Sequence, residues 1–139
     1  MFAGYLKLQG IKGESKAIGR KDWIDIEGFN CALTRDISRF KSDGTIVAAI
    51  PNFSSFEFQQ RYNRGSVEMF MHCLRGEPIG VAEFDVCRMD VSEKVKVHIE
   101  FENCLITSIQ VASQAEHVVE LVEVTFGSVR WLPVGAADN

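Results

Sequence analysis

Val95, Val97, Ile99 and Phe101 alternate with Lys94, Lys96, His98 and Glu100. That two-residue period predicts a strand with one face on a core and the other in water. Carried forward in the same phase, the apolar face takes in Leu105, Ile109 and Val111. Ala82, Phe84 and Val86 share one face of an earlier strand. Val122, Val124 and Phe126 form the last core run, and Gly127 allows a bulge before Val129 and Trp131. At the other end, Tyr5-Leu6-Lys7-Leu8 is a short alternating strand, and Gly10 to Ser15 is a turn-rich loop. Asp22 to Thr34 reads as one long strand bent at Gly28, or two joined there. Asp36 to Asn52 reads as an extended excursion from the sheet with short strands of its own. Phe53, Phe56 and Phe58 lead into another strand.

One segment breaks the two-residue rhythm. Ser66 to Arg75 predicts a helix, with Ser66 as N-cap, Glu68 in the first turn and Arg75 in the last. Gly76 can take the left-handed conformation just past the end, and Pro78 prevents continuation. Glu68, His72 and Arg75 share one face. Val67, Met69, Phe70, Met71, Cys73 and Leu74 cover the rest, a wider apolar arc than a surface helix carries. The helix therefore plugs a β-core, and Met69 and Met71 are its candidate contacts to another subunit. Together these elements predict a mainly β fold, a barrel or sandwich of two packed antiparallel sheets with one flanking helix.

Composition agrees. Val and Ile number 14 and 11 against 7 Leu in 139 residues, and branching at Cβ favours strands. A length of 139 residues suits one domain spanning 1–139. The net charge of -4 argues against a nucleic-acid binder and against an anionic membrane surface as target. No apolar run reaches the roughly 18 residues of a membrane helix. The first ten residues lack a signal-peptide pattern, which predicts folding in the cytoplasm. Cys31, Cys73, Cys87 and Cys104 show no CxxC spacing and read as buried thiols.

Candidate chemistry is sparse. Gly10-x-x-Gly13 misses the spacing of phosphate-binding and dinucleotide-binding loops and reads as a turn. His72, His98 and His117 lack metal-ligand spacing and fall on polar faces or in a loop. Glu100 and Glu102 continue a solvated face. Cys73 and His72 point about 100° apart on a helix and do not pair. No catalytic, cofactor-binding or metal site is expected, and the chain does not read as an enzyme.

Two stretches carry a family resemblance. Tyr5 to Ser15, followed by Arg20-Lys21-Asp22-Trp23-Ile24-Asp25-Ile26, resembles the opening of the haemolysin-coregulated protein (Hcp) family of the bacterial type VI secretion system. Phe58-Gln59-Gln60, Asn63 and the run from Ser66 to Gly76 resemble that family's phenylalanine strand and the helix it enters. Glu120 to Trp131 is similar to its last strand. Arg20 stands where the family usually has His, Asn63 replaces the usual Asp, and Gly28-Phe29-Asn30-Cys31-Ala32 replaces a Ser- and Trp-rich stretch.

The resemblance implies a β-barrel flanked by the 66–75 helix, a homohexameric ring, and rings stacked into a hollow tube. Sheath and spike proteins of the secretion machine are the implied partners, with effector proteins carried in the lumen and export without an N-terminal signal peptide. The few residues after Trp131 leave no room for an attached effector domain. The excursion bearing Arg39, Lys41 and Asp43 is the expected ring-stacking loop, its mixed charges suited to a salt-sensitive contact. The alternatives are a small-ligand-binding β-barrel, a small hydrolase and a phage-tail tube protein.

Overall fold

The computed structural model describes residues 2–88 and 95–132. Lys94 and the residues after Leu132 lie outside that range. Among the described residues, eight strands and one helix follow in the order β1 (Phe2–Leu8), β2 (Ile24–Ile26), β3 (Gly28–Phe40), β4 (Ile46–Arg61), α1 (Ser66–Arg75), β5 (Gly80–Arg88), β6 (Val95–Gln114), β7 (His117–Thr125) and β8 (Ser128–Leu132). All pairings between strands are antiparallel. They form two sheets, β2-β1-β5-β6-β8 and β3-β4-β7-β6.

Two segments belong to both sheets. The first is β6, whose opening half pairs with β5 and β8 and whose closing half pairs with β7. The second is the bend expected at Gly28: β2 ends at Ile26, Glu27 donates its N–H to Gln59 O at 2.8 Å, and β3 continues along β4. The stretch from Asp36 to Asn52 is no separate excursion. It is the outer part of one long β3–β4 hairpin with register shifts along it, closed by a turn in which Asp43 Oδ1 accepts from Thr45 N at 2.9 Å.

The core lies between the sheets. Phe84 packs 4.7 Å from Phe56, Phe56 5.1 Å from Phe101, and Phe101 4.6 Å from Phe126, centroid to centroid. Leu6, Leu8, Ile24, Ile99 and Val122 surround these rings. As the alternation predicts, Ala82, Phe84, Val86, Val122, Val124 and Phe126 all point inward.

Along β6 the single phase fails, for a local reason. Ile99 and Phe101 are buried, but the next buried positions are Cys104 and Ile106, one residue out of step. Asn103 between them has φ +56°. The ladder skips there from Ala82↔Phe101 to Gly80↔Cys104, an extra residue in β6 that turns the side chains over. A second extra residue, Thr107, restores the phase, so Ile109 packs on the core again. Gly127 is held against the first bulge by its N–H to Glu102 O at 3.0 Å. A Cβ on Gly127 would come within 3.1 Å of Asn103 Cβ.

The helix spans the expected residues and ends in Gly76 at φ 68°, ψ 30°. Its start differs from expectation. Gly65 is the N-cap and no side chain caps the helix. The Ser66 hydroxyl is used elsewhere: it accepts from Asn63 N at 2.9 Å and donates to the buried Glu120 carboxylate at 2.5 Å. Gln60 Nε2 donates to the same oxygen at 3.0 Å. This buried carboxylate anchors the helix onto β4 and β7.

Candidate functional site

The outer face of the β1-β5-β6-β8 sheet carries a polar cluster. Antiparallel pairing sets Asp85 opposite His98 and Glu83 opposite Glu100, with Tyr5 beside Asp85 and Arg130 beside Glu100. The segment between β1 and β2 folds over this face and is pinned at Gly13, where a Cβ would lie 2.5 Å from Trp23 O. It delivers Arg20, whose Nε donates to Asp85 Oδ2 at 2.9 Å. The guanidinium sits 5.4 Å from the Tyr5 ring centroid and 5.8 Å from that of Trp23. Asp85 is thereby nearly sealed, at 5% exposure.

His98 bridges two carboxylates. Its Nδ1 meets Asp85 Oδ1, and its Nε2 lies 3.3 Å from Glu100 Oε1. Burial pushes the imidazole pKa down, while Asp85 and then Glu100 pull it up. The carboxylates prevail, and the pKa lies above the ordinary 6.5. The expectation that His98 and Glu100 are simply solvated is corrected: both are half-buried. His117 is exposed, as expected. Arg20 and Asp85 are 65 residues apart in sequence, so no local spacing signals the cluster.

The expected subunit-contact and stacking residues are placed as follows. Arg39, Lys41 and Asp43 are all exposed near the tip of the β3–β4 hairpin. Met71 is half-buried. Met69 is fully buried, with Gln60 Nε2 3.6 Å from its sulfur, and has no surface to offer a neighbour. The apolar side chains that α1 shows to solvent are instead Val67, Phe70 and Leu74. These recur at i, i+3 and i+7, a stripe visible in the sequence pattern but hidden there within a wider apolar arc.

No disulfide joins any of the four cysteines; Cys87 and Cys104 are buried and Cys31 and Cys73 half-buried. Burial pushes the Cys104 thiol up to about 11. Alkylation of the native protein at neutral pH should leave Cys104 unmodified, while unfolding in urea exposes it. Mass mapping of the labelled peptides checks this; rapid native labelling of Cys104 would contradict the packing around Gly80 and Asn103. Between the sheets the phenylalanine rings fill the space a small-ligand barrel would need, which counts against that alternative. Among the described residues no helix is long and apolar enough to cross a membrane.

Solved structures resemble this fold. Hcp1 from Salmonella typhimurium superposes with TM-score 0.75 at 18% identity, covering 92% of this chain and 83% of that one. A type VI secretion system effector from Yersinia pestis gives 0.71 at 20%, covering 91% and 85%. The secreted protein Hcp3 from Pseudomonas aeruginosa gives 0.69 at 15%, covering 94% and 90%. No curated protein matches the chain in sequence. Residues 5–132 match the family described as type VI secretion system effector, Hcp. That match runs from the first core strand to the last, through both strand passages, the helix and the Arg20 segment, and the chain therefore belongs to the Hcp family of type VI secretion.

Proposed function

We propose that this chain is a tube subunit of a type VI secretion machine. Its two sheets, joined through β6 and through Glu27, act as one barrel, and six barrels form a ring. Rings stack into a tube that the sheath propels behind a spike, with effector proteins held in the lumen and the tube itself exported. A cyclic ring needs two different patches on each subunit that meet head to tail. The observation that carries the reading is the presence of two such apolar surfaces on separate elements. One is the α1 stripe, with Val67 57%, Phe70 50% and Leu74 69% exposed. The other is the hairpin arm, where Leu33, Ile37, Phe40 and Ile46 are each more than half exposed. Exposed apolar groups gathered this way mark interaction surfaces. Arg39, Lys41 and Asp43 at the arm's tip are the proposed contacts between rings.

Native mass spectrometry of the purified chain at micromolar concentration should give a discrete hexamer. The double substitution Phe70→Asp and Leu74→Asp should give monomer that keeps the parent's circular dichroism, because both side chains are at the surface. Charge reversal at Arg39 and Lys41 should leave single rings intact and suppress stacks in negative-stain images. A parent chain that stays monomeric across the micromolar range would overturn the proposal.

A further inference from the structure

We infer that Glu83, His98 and Glu100 form a binding site for a divalent transition-metal ion of the zinc class, stapling β5 to β6 on the outer face of the sheet. One donor atom from each of the three residues lies within 4.8 Å of the others. The strand register builds this arrangement: His98 and Glu100 are two apart on β6 and share its outer face, and Glu83 stands directly opposite Glu100 on β5. Two carboxylates placed opposite each other repel unless a cation lies between them. From the other side Glu83 is opposed by Lys7 of β1. Arg130 reaches Glu100 only at 3.9 Å and is itself largely solvated.

The setting of the imidazole points the same way. Its Nδ1 is committed to Asp85, and Asp85 is fixed in turn by Arg20. That aims Nε2 at the outer face, 3.3 Å from Glu100 Oε1. An ion placed there would be within reach of all three groups, Glu83 included. A buried carboxylate holding the far nitrogen of a histidine is the support that metal-ligating histidines require. One nitrogen and two carboxylate oxygens suit zinc and its first-row neighbours better than calcium or magnesium, which favour all-oxygen shells.

The test is calorimetric titration of the chelator-treated full chain with zinc in mildly alkaline buffer, followed by thermal unfolding with and without zinc. One ion per chain should bind, and saturating zinc should raise the unfolding midpoint, since the ion binds the folded state. His98→Gln should abolish that binding. Glu83→Gln should weaken it without lowering the zinc-free midpoint, because it relieves the repulsion from Glu100, which separates ligation from folding. Asp85→Asn leaves the three ligands in place but removes the charge that holds Nδ1 and Arg20; below its own, lower unfolding midpoint it should bind zinc about 10- to 100-fold more weakly. A chain with both His72→Gln and His117→Gln should bind like the parent. Absence of binding by the parent, or binding that survives His98→Gln and Glu83→Gln together, would overturn the inference.

Discussion

Phe56→Ala should destabilise the chain by about 3–5 kcal/mol, the range for emptying a large aromatic site in a core that cannot collapse around it. Phe56 is 1% exposed and contacts four other rings, Phe29, Phe58, Phe84 and Phe101, with centroids 4.7 to 6.3 Å away. Those partners come from β3, β4, β5 and β6, so both sheets lose their shared contact at once. A domain of this size is stable by only about 5–15 kcal/mol. The substitution thus removes a large share of the total, and urea unfolding should show it as a lower midpoint with an unchanged slope. Phe40→Ala is the matched control. That ring is 66% exposed on the hairpin arm, and its removal should change monomer stability by less than about 0.5 kcal/mol. Equal losses for both variants would mean that the aromatic core does not join the sheets.

How much of this was legible in the sequence depended on the range of the interaction. Helix α1 and its glycine terminus follow from neighbours within a few residues, and both were predicted within their bounds. Ala82, Phe84 and Val86 of β5 and Val122 and Val124 of β7 follow from period alone, but Asp85, Cys87 and Val119, out of that phase, are buried too. β6 could not be read so simply. The extra residues at Asn103 and Thr107 depend on what pairs alongside, because β5 leaves it and β7 joins it near Asn103. An asparagine in a strand pattern does not announce a positive φ. Ser66 misled for a similar reason: a serine at a helix start is a good cap by local rules, but Glu120, 54 residues away, competes for its hydroxyl. Met69 and Phe70 are adjacent in an apolar arc, and only the strands against which the helix packs, β6 above all, decide which of them is covered. The polar cluster was the least legible feature. Its members come from the β1–β2 segment, β5, β6 and β8, and the alternation that places His98 and Glu100 outward suggests water on that face. The segment carrying Arg20 covers it instead.

That covering segment makes Asp85 the polar residue whose loss should be felt most. Asp85→Ala is expected to cost about 3–5 kcal/mol, the range for removing one partner of a buried ion pair. The side chains of Arg20 and Asp85 are 12% and 7% exposed, so neither can recover its hydration without moving. Removing the carboxylate strands the Arg20 guanidinium between Tyr5 and Trp23 and strands Nδ1 of His98 as well. The unpaired charge, more than the missing bond, dominates that cost. The cost should therefore depend on whether the second partner is also removed. Arg20→Leu combined with Asp85→Ala should be less destabilising than the sum of the single changes, with a coupling of about 1–3 kcal/mol in a double-mutant cycle. Replacing the ion pair by apolar groups would then leave the β1–β2 segment seated by Ile11 and by the hydrogen bond that Arg64 Nε donates to Gly13 O at 2.8 Å. The exposed pair Arg61–Glu27, at 56% and 37% side-chain exposure, provides the comparison: breaking it should cost no more than about 1 kcal/mol. Strict additivity of Arg20→Leu and Asp85→Ala would show that the two side chains are screened by water, and that the β1–β2 segment does not seal the outer face of the sheet.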